Sequence, residues 1–408
     1  MTSLPVSVVI VSRQRPDSLK HCLSAVARLS YPDYEIVVVA DPAGLRAVEG
    51  LAFADRIKTV PFHEANISAA RNRGIAQAAG EIVAFLDDDA IPEPRWLDHL
   101  TAVFADPAVA AAGGHVLGRN GITPQWRSRV VDQTGEARDL SLHRLNSTIL
   151  TPPQGQAVKT EGTNMAVRRD VLSKLGGFDP AFRFYLDETD VNMRLAQLGY
   201  STAVVPLAVV HHGFAASAYR RSDRAVRGLR QIAASLTVFL RKHCPPSRHK
   251  QALDKAFGEQ RKRILVQMVS GLLEPRDIRR LLRDWNNGVE EGRSRLLTDP
   301  VPLPPAQSDY LPFQTLFQAD NCIIAGHHLQ MRLRRKEAAQ AASEGQSVSL
   351  FLFSYSTLYH HVRFHPDGYW EQTGGLWGRS DRSDPLFRVW SINGRVDHEV
   401  HRIGAARF

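Results

Sequence analysis

Cysteine is scarce in this sequence. Its 408 residues hold three, Cys22, Cys244 and Cys322, set far apart. They form neither a metal-site spacing nor a disulfide framework, which excludes a small stapled secreted fold and fits a reducing cytoplasm. Long apolar runs are missing as well. The longest stretches, such as VVIV and FLF, are strand-sized, so no segment reads as a membrane span. The N-terminal residues show no apolar core of signal-peptide length flanked by basic residues. The expectation is a cytoplasmic protein. Internal repeats and low-complexity tracts are also lacking.

What is present is the composition of a soluble globular chain, 43% hydrophobic and 23% charged. The length calls for two or three domains. The net charge of +9 is unevenly spread: residues 1–213 are slightly acidic, and the remainder is strongly basic. Such a basic half is compatible with a solvated surface, an anionic membrane, an acidic glycan or nucleic acid.

Residues 1–213 alternate between two periods. VSVVIVS (6–12) and EIVVVAD (35–41) are continuous apolar runs of strand length, RIKTVPF (56–62) is a third strand, and EIVAFLD (81–87) a fourth. Between them lie helical patterns, one opened by Pro16 and another over 67–79, capped by Asn66 and stopped by Gly80. Strands apolar on both faces, alternating with helices, predict an α/β fold with a mostly parallel sheet covered by helices. Ligands of such sheets bind at the carboxyl ends of the strands, where Asp41 and Asp87–Asp89 fall.

The stretch EIVAFLDDDAIPEPRW closes a buried-type strand with three successive carboxylates, Asp87, Asp88 and Asp89, and no basic residue before Arg95. Single aspartates are common in turns. Three in a row repel one another unless positive charge sits among them. Mg2+ and Mn2+ prefer oxygen ligands and take one or two carboxylates together with phosphate oxygens. The residues therefore point to a divalent ion holding a diphosphate.

The ordered set VSVVIVSRQRPDSL, EIVVVAD, ISAARNRG, AGEIVAFLDDDAIP, EGTNMAVRRDVLSKLGGFDPAF and YLDETDVNMRLAQLGY resembles glycosyltransferase family 2, enzymes of the GT-A fold, over residues 4–213. The resemblance implies transfer of a sugar from a nucleotide-sugar donor to an acceptor hydroxyl, with inversion by single displacement. It implies Asp89 as metal ligand, Asp88 at the ribose and Asp87 in support. It likewise implies that Ser12, Arg13 and Asp41 fall at the nucleotide, with Ala40 where the family often has a second acid, and that Arg71 faces the nucleotide and its phosphates. Gly162, Thr163 and Asn164 match the segment lining the donor sugar and acceptor cleft. In LDETD the family's Glu-Asp pair is swapped to Asp187-Glu188. By position Glu188 is the base that takes the hydroxyl proton, with Asp187 second, while Asp190 caps the helix or orients a neighbour. A histidine at a strand end completes the metal shell in several such enzymes. Of His211 and His212, which face opposite ways on a strand, His211 is the expected ligand.

Beyond 213 no family resemblance is found. Residues 214–345 read as a mainly helical basic region with a Pro-rich linker or cover at 298–312, and 346–408 as a small β-rich unit. SAYRRSDRAVRGLRQ would align Arg220, Arg224 and Arg227 on one helix face, a stripe suited to an anionic acceptor, a lipid-linked diphosphate or a membrane surface. A further helix is expected over roughly 318–342. Trp370, Trp377 and Trp390 read as core before sugar-stacking residues. His360, His361 and His365 lack the partners of a metal site. The expected partners are a nucleotide sugar and a glycan or lipid-linked acceptor, with peripheral contact to an anionic membrane compatible and nucleic acid disfavoured. One rival is a sugar-nucleotide nucleotidyltransferase, for which SRQRPD lacks the glycines. Another is a non-catalytic glycan- or nucleic-acid-binding protein using the basic half. An aspartyl phosphatase would need its DxD motif after the first strand.

Overall fold

The computed structural model describes residues 3–213, 215–298, 300–316 and 320–408. The chain opens with three strand–helix units: β1 (Val6–Ser12) and α1 (Pro16–Val26), β2 (Tyr34–Ala40) and α2 (Pro42–Glu49), β3 (Ile57–Pro61) and α3 (Ile67–Gln77). β4 (Ile82–Asp87) and the short β5 (Ala90–Pro92) precede α4 (Trp96–Ala102). There follow β6 (Val109–Leu117), β7 (Pro124–Trp126) and four short strands, β8 (Arg129–Asp132), β9 (Ala137–Asp139), β10 (Thr148–Leu150) and β11 (Gln156–Val158). β12 (Met165–Arg168), α5 (Arg169–Leu175), α6 (Asp187–Gln197) and β13 (Ser201–His212) complete this part.

The main sheet runs β10-β13-β6-β12-β4-β1-β2-β3. β1 pairs in parallel with β2 and β4, whereas β12 runs antiparallel between β4 and β6. The apolar runs are continuous because both faces are covered. Val6, Val8 and Ile10 of β1 pack into one core, and Val9 joins Val37 and Phe85 in the core on the opposite face. The parallel strands therefore end together, and β1 and β4 deliver Ser12 and Asp87 to one edge. The α/β architecture with flanking helices is the one expected from the sequence, but the sheet is mixed rather than mostly parallel, because β5, β7, β10 and β12 all pair antiparallel with their neighbours.

The basic region forms three helices, α7 (Arg230–His243), α8 (Pro246–Val269) and α9 (Pro275–Ser294). α9 lies close against α7 because Gly288 and Gly292 present no side chain. A Cβ at Gly288 would come within 2.2 Å of the Arg230 carbonyl, and one at Gly292 within 2.5 Å of the Ala234 carbonyl. The helical stripe expected over 217–230 does not form. Residues 217–229 turn instead, with isolated bridges Ser217–Arg220 and Arg220–Val226 and a left-handed Arg224. The Asp223 side chain accepts from the Ala225 N–H there, a local turn bond that competes with helix.

The Pro-rich segment, whose residue 299 lies outside the described residues, runs as an extended cover. Its backbone bonds reach Ser173, Ala76 and Tyr34, and Phe313 enters the main core. β11, β8 and β9 pair as a small three-stranded sheet, ordered β11-β8-β9, and the C-terminal unit forms a separate four-stranded sheet, ordered β14-β15-β17-β16. It comprises β14 (Asn321–His327), α10 (Met331–Ser343), β15 (Ser347–Ser354), β16 (His361–Phe364), β17 (Trp370–Gly375) and the closing helix α11 (Ile392–Arg407). The helix expected over 318–342 thus corresponds only to α10. Residues 318 and 319 lie outside the described residues, and 321–327 form a strand because β15 offers it a parallel partner. Among the described residues, no helix is long and apolar enough to cross a membrane.

The unit docks on the main sheet through a shared apolar cluster of Ala25, Ile91, Ile122, Val362, Phe364 and Trp370. Trp370 is therefore core, as its sequence reading favoured.

Candidate active site

The aspartate trio finds its positive charge in residues remote along the chain. Asp88 is fully buried, accepts from the Ser12 hydroxyl at 2.7 Å and pairs with Arg15 at 2.8 Å. Arg15 also lies 3.3 Å from Asp89. Asp87, the most exposed of the three, pairs with Arg71 at 3.2 Å. Burial, outweighing Arg15 and Ser12, pushes the Asp88 carboxyl up to about 7. Burial also works against Asp89, but His212, Arg15 and the Ala215 N–H together hold its carboxyl well below the usual range. Arg15 was not singled out in the sequence. It sits in SRQRPD at the entry to α1, and only the parallel pairing of β1 with β4 brings it to the trio.

Arg71 is the hinge of the site. It projects from α3 into the interior and pairs with both Asp87 and Asp187, while its Nη2 donates to the Gly162 carbonyl at 3.0 Å. Gly162 must lack a side chain, since a Cβ there would lie 2.4 Å from that guanidinium. Asp187 and Glu188 begin α6, where negative charge suits the helix dipole. Glu188 pairs with Lys159 at 2.9 Å, and Lys159 reaches Glu161 at 3.4 Å. Burial opposes the Glu188 charge, but Lys159, Arg71 and a backbone N–H together outweigh it and hold the carboxyl below its ordinary range. Asp187 is driven upward by burial against Arg71, and the Glu188 charge adds to the rise. Lys159 and Glu161 were also missed. They lie just before and within EGTNM, and nothing local marks their partners.

These groups line a cavity of about 590 Å³. Arg71, Asp87, Asp187 and Glu188 share it with Thr163, whose buried hydroxyl has no hydrogen-bond partner among the described residues. Trp126 and Tyr185 add aromatic faces, and α8 contributes Lys255 and Glu259 to the wall. Non-glycine residues adopt left-handed backbone at Gln14, Tyr185 and Leu186, strain of a kind that collects at functional sites.

Three expected site residues stand differently. Asn164 does not face the cavity: it accepts from Trp96 Nε1 at 2.8 Å and donates to the His115 and Ala208 carbonyls, both at 2.9 Å. Its amide is spent on holding backbone, so the donor-binding expectation is corrected. Asp41 caps α2 and accepts from Gln14 N–H, which keeps it beside the β1 loop. Arg13 is exposed at the rim, donating weakly to the His63 carbonyl at 3.4 Å.

The histidine assignment reverses. β5 pairs antiparallel with the end of β13, setting His212 opposite Ala90 and His211 opposite Ile91. His212 therefore turns to Asp89, at 3.5 Å, and its Nδ1 meets Gln125 at 3.0 Å. His211 points the other way, to Glu93 at 2.8 Å. Among the described residues, Asp87, Asp89 and His212 form the group whose ligand atoms lie within 4.8 Å of one another. Two carboxylates and an imidazole fit Mn2+ by their chemistry.

A family model, glycosyltransferase-like family 2, matches residues 4–231. The chain belongs to glycosyltransferase family 2. It is 30% identical over 231 residues to the O-antigen biosynthesis protein RfbC of Myxococcus xanthus, covering 53% of this chain and 18% of that protein. It is 29% identical over 189 residues to glycosyltransferase AglE of Haloferax volcanii, covering 44% of this chain and 58% of that protein. The chain thus spans between about a fifth and three fifths of these relatives' lengths. Among solved structures, mannosyltransferase PcManGT of Pyrobaculum calidifontis, in complex with GDP-Man and Mn2+, aligns at 17% identity over 72% of this chain and 88% of that one, with a TM-score of 0.43. The family match carries no information on the residues after 231, where the helical wall and C-terminal unit lie.

Proposed function

We propose that this chain is a metal-dependent, inverting glycosyltransferase, moving a hexose from a nucleotide sugar to a hydroxyl of a glycan or lipid-linked acceptor in cell-surface polysaccharide synthesis. The observation that carries the reading is the double pairing of Arg71, which sets Asp87, the first of the aspartate trio, and the Asp187-Glu188 pair on the lining of one cavity.

Asp89 and His212, with Asp87 beside them, would hold Mn2+ or Mg2+, which when bound neutralises charge on the diphosphate. Arg15 and Arg71 supply further positive charge near the leaving group. Ser12, Asp41 and Asp88 sit where β1, β2 and β4 end, suited to the nucleoside. The Thr163 hydroxyl is free to bond a sugar hydroxyl. Glu188 accepts the proton of the attacking hydroxyl. As the new C–O bond forms at the anomeric carbon, the bond to the diphosphate breaks on the opposite face, and the nucleoside diphosphate departs with the electron pair. Asp187, locked by Arg71, holds the helix start in place. Trp126 and Tyr185, with Lys255 and Glu259 of α8, would form the acceptor side, since aromatic faces suit sugar rings.

Arg261, Lys262, Val266 and Val269 lie together on the distal part of α8, with Val269 84% exposed. Basic and apolar groups side by side support peripheral contact with an anionic membrane surface. The cytoplasmic setting rests on three dispersed free cysteines. 

A thermal-shift screen of UDP-, GDP-, dTDP- and CMP-sugars with and without Mn2+ tests the proposal, because a ligand that binds the native state raises its melting temperature. One donor class should stabilise the protein, more with Mn2+ than without, and His212→Ala should abolish the Mn2+ increment. Stabilisation equal in both conditions would rule out metal dependence.

A further inference from the structure

The C-terminal unit lies outside the family match, yet its last helical residue is buried against the metal side of the site. Arg407 is 2% exposed. Its Nε donates to Glu93 Oε2 and its Nη2 to Oε1, both at 2.7 Å. The same Oε1 meets His211 Nε2 at 2.8 Å. The guanidinium lies 4.2 Å from the Trp370 ring centroid, whose ring is 4.6 Å from that of His211. Nη1 donates to Ser349 on β15 at 3.3 Å. Nearby, Arg95 Nη1 donates to the Phe408 carbonyl at 2.9 Å.

Glu93 and His211 are neighbours of the proposed ligands. Asp89 immediately precedes β5 and Glu93 immediately follows it; His211 and His212 are the last two residues of β13. β5 and β13 pair over only three residue pairs, flanked by one backbone bond at each end, Glu93 N–H to the Val209 carbonyl at 3.0 Å and Gly213 N–H to the Asp89 carbonyl at 2.6 Å; these bonds fix the backbones but not the side chains that the ladder carries. The Arg407–Glu93–His211 contact closes the pairing from its far end.

A purely adhesive role is a poor account of this contact. The apolar cluster around Trp370 already docks the unit, and a buried ion pair adds little stability over well-packed apolar residues. What a bidentate guanidinium–carboxylate contact does add is fixed geometry. We propose that Arg407 is a positioning residue which, through Glu93 and His211, fixes β5 against β13 and thereby sets Asp89 and His212 at metal-binding distance. The C-terminal unit is then part of the catalytic apparatus. The inference rests on the reading of Asp89 and His212 as metal ligands.

The test is Mn2+ binding to the full chain, read from the free-ion electron paramagnetic resonance signal, with Mn2+ alone and with added UDP or GDP. Wild type should bind and Asp89→Asn should not. Absence of binding to wild type, or unchanged binding by Asp89→Asn, overturns the metal reading and the clamp with it. Given those controls, Arg407→Met should fold, by circular dichroism, and bind Mn2+ at least tenfold more weakly. Arg407→Lys, keeping one charged donor, should bind with intermediate affinity. Should Arg407→Met fail to fold because Glu93 is left with His211 alone, Glu93→Gln with Arg407→Met removes both charges and carries the test. A folded variant with wild-type Mn2+ affinity overturns the proposal, as does failure of all these variants to fold, which would make the contact purely structural.

Discussion

Arg71 and Asp187 form a buried ion pair that joins the helix after β3 to the helix bearing the proposed base, 116 positions along the chain. The same guanidinium holds Asp87, so one side chain couples the two acidic walls of the cavity.

Removing that guanidinium should disrupt both walls. In Arg71→Met, Asp187 and Asp87 lose their shared partner, and breaking a buried pair costs about 3–5 kcal/mol. Denaturant unfolding should record a loss of that order, with turnover below detection. Arg71→Lys should recover less than half of the stability, because an ammonium cannot reproduce the fork. A loss under about 1 kcal/mol for the methionine variant would mean that solvent replaces the guanidinium.

Glu188 and Asp187 should separate kinetically. Glu188→Gln removes the proton acceptor and should lower kcat by about 10²–10⁴-fold while donor affinity stays near wild type. Asp187→Asn weakens the Arg71 contact and should depress stability as well as turnover. Full turnover by Glu188→Gln, measured with any accepted donor, would transfer the base role to Asp187.

Thr163→Val removes a buried hydroxyl that has no hydrogen-bond partner among the described residues. Burying such a group unbonded costs about 1–3 kcal/mol. The variant should therefore unfold at an equal or higher temperature than wild type, yet show a raised KM for donor or acceptor. An unchanged KM for both substrates would remove Thr163 from the binding surface.

Asp190 gives a pH signature away from the metal group. It is fully buried and meets Arg194 at 2.8 Å, Lys242 at 2.7 Å and His243 at 2.8 Å, tying α6 to α7. Burial opposes its charge, but Arg194 first, then His243 and Lys242, hold its carboxyl far below the ordinary range. A depressed carboxyl contributes stability that is present above the unfolded-state value, near 4, and is lost as pH falls towards the folded one. Asp190→Asn should cost about 3–5 kcal/mol at pH 7, and the gap to wild type should narrow steadily as pH falls below about 4. A gap that stays constant with pH would locate the effect in packing rather than charge.

Much of this was legible in the residues. Apolar runs such as VSVVIVS announce strands buried on both faces, and β1 and β4 lie where those runs stand. The acids of LDETD open a helix because that is where carboxylates meet the dipole. The reading failed where two structures share one local pattern. Arg220, Arg224 and Arg227 have helical spacing, but Asp223 bonds the chain locally and a turn forms. Asn164 is polar and near the cleft, yet its amide is consumed by Trp96 and two carbonyls.

The sequence by itself determined the period of each main strand and helix, the family, and the crowding of three aspartates at a strand end. These follow from side-chain pattern and local charge, which short stretches of chain carry unaided. Only the tertiary structure decided that Arg15 and Arg71 relieve that crowding, that His212 and not His211 faces Asp89, and that Arg407 closes on Glu93. Those choices depend on strand register and on contacts across tens to hundreds of residues, and a one-residue change of register turns every side chain on a strand to the other face.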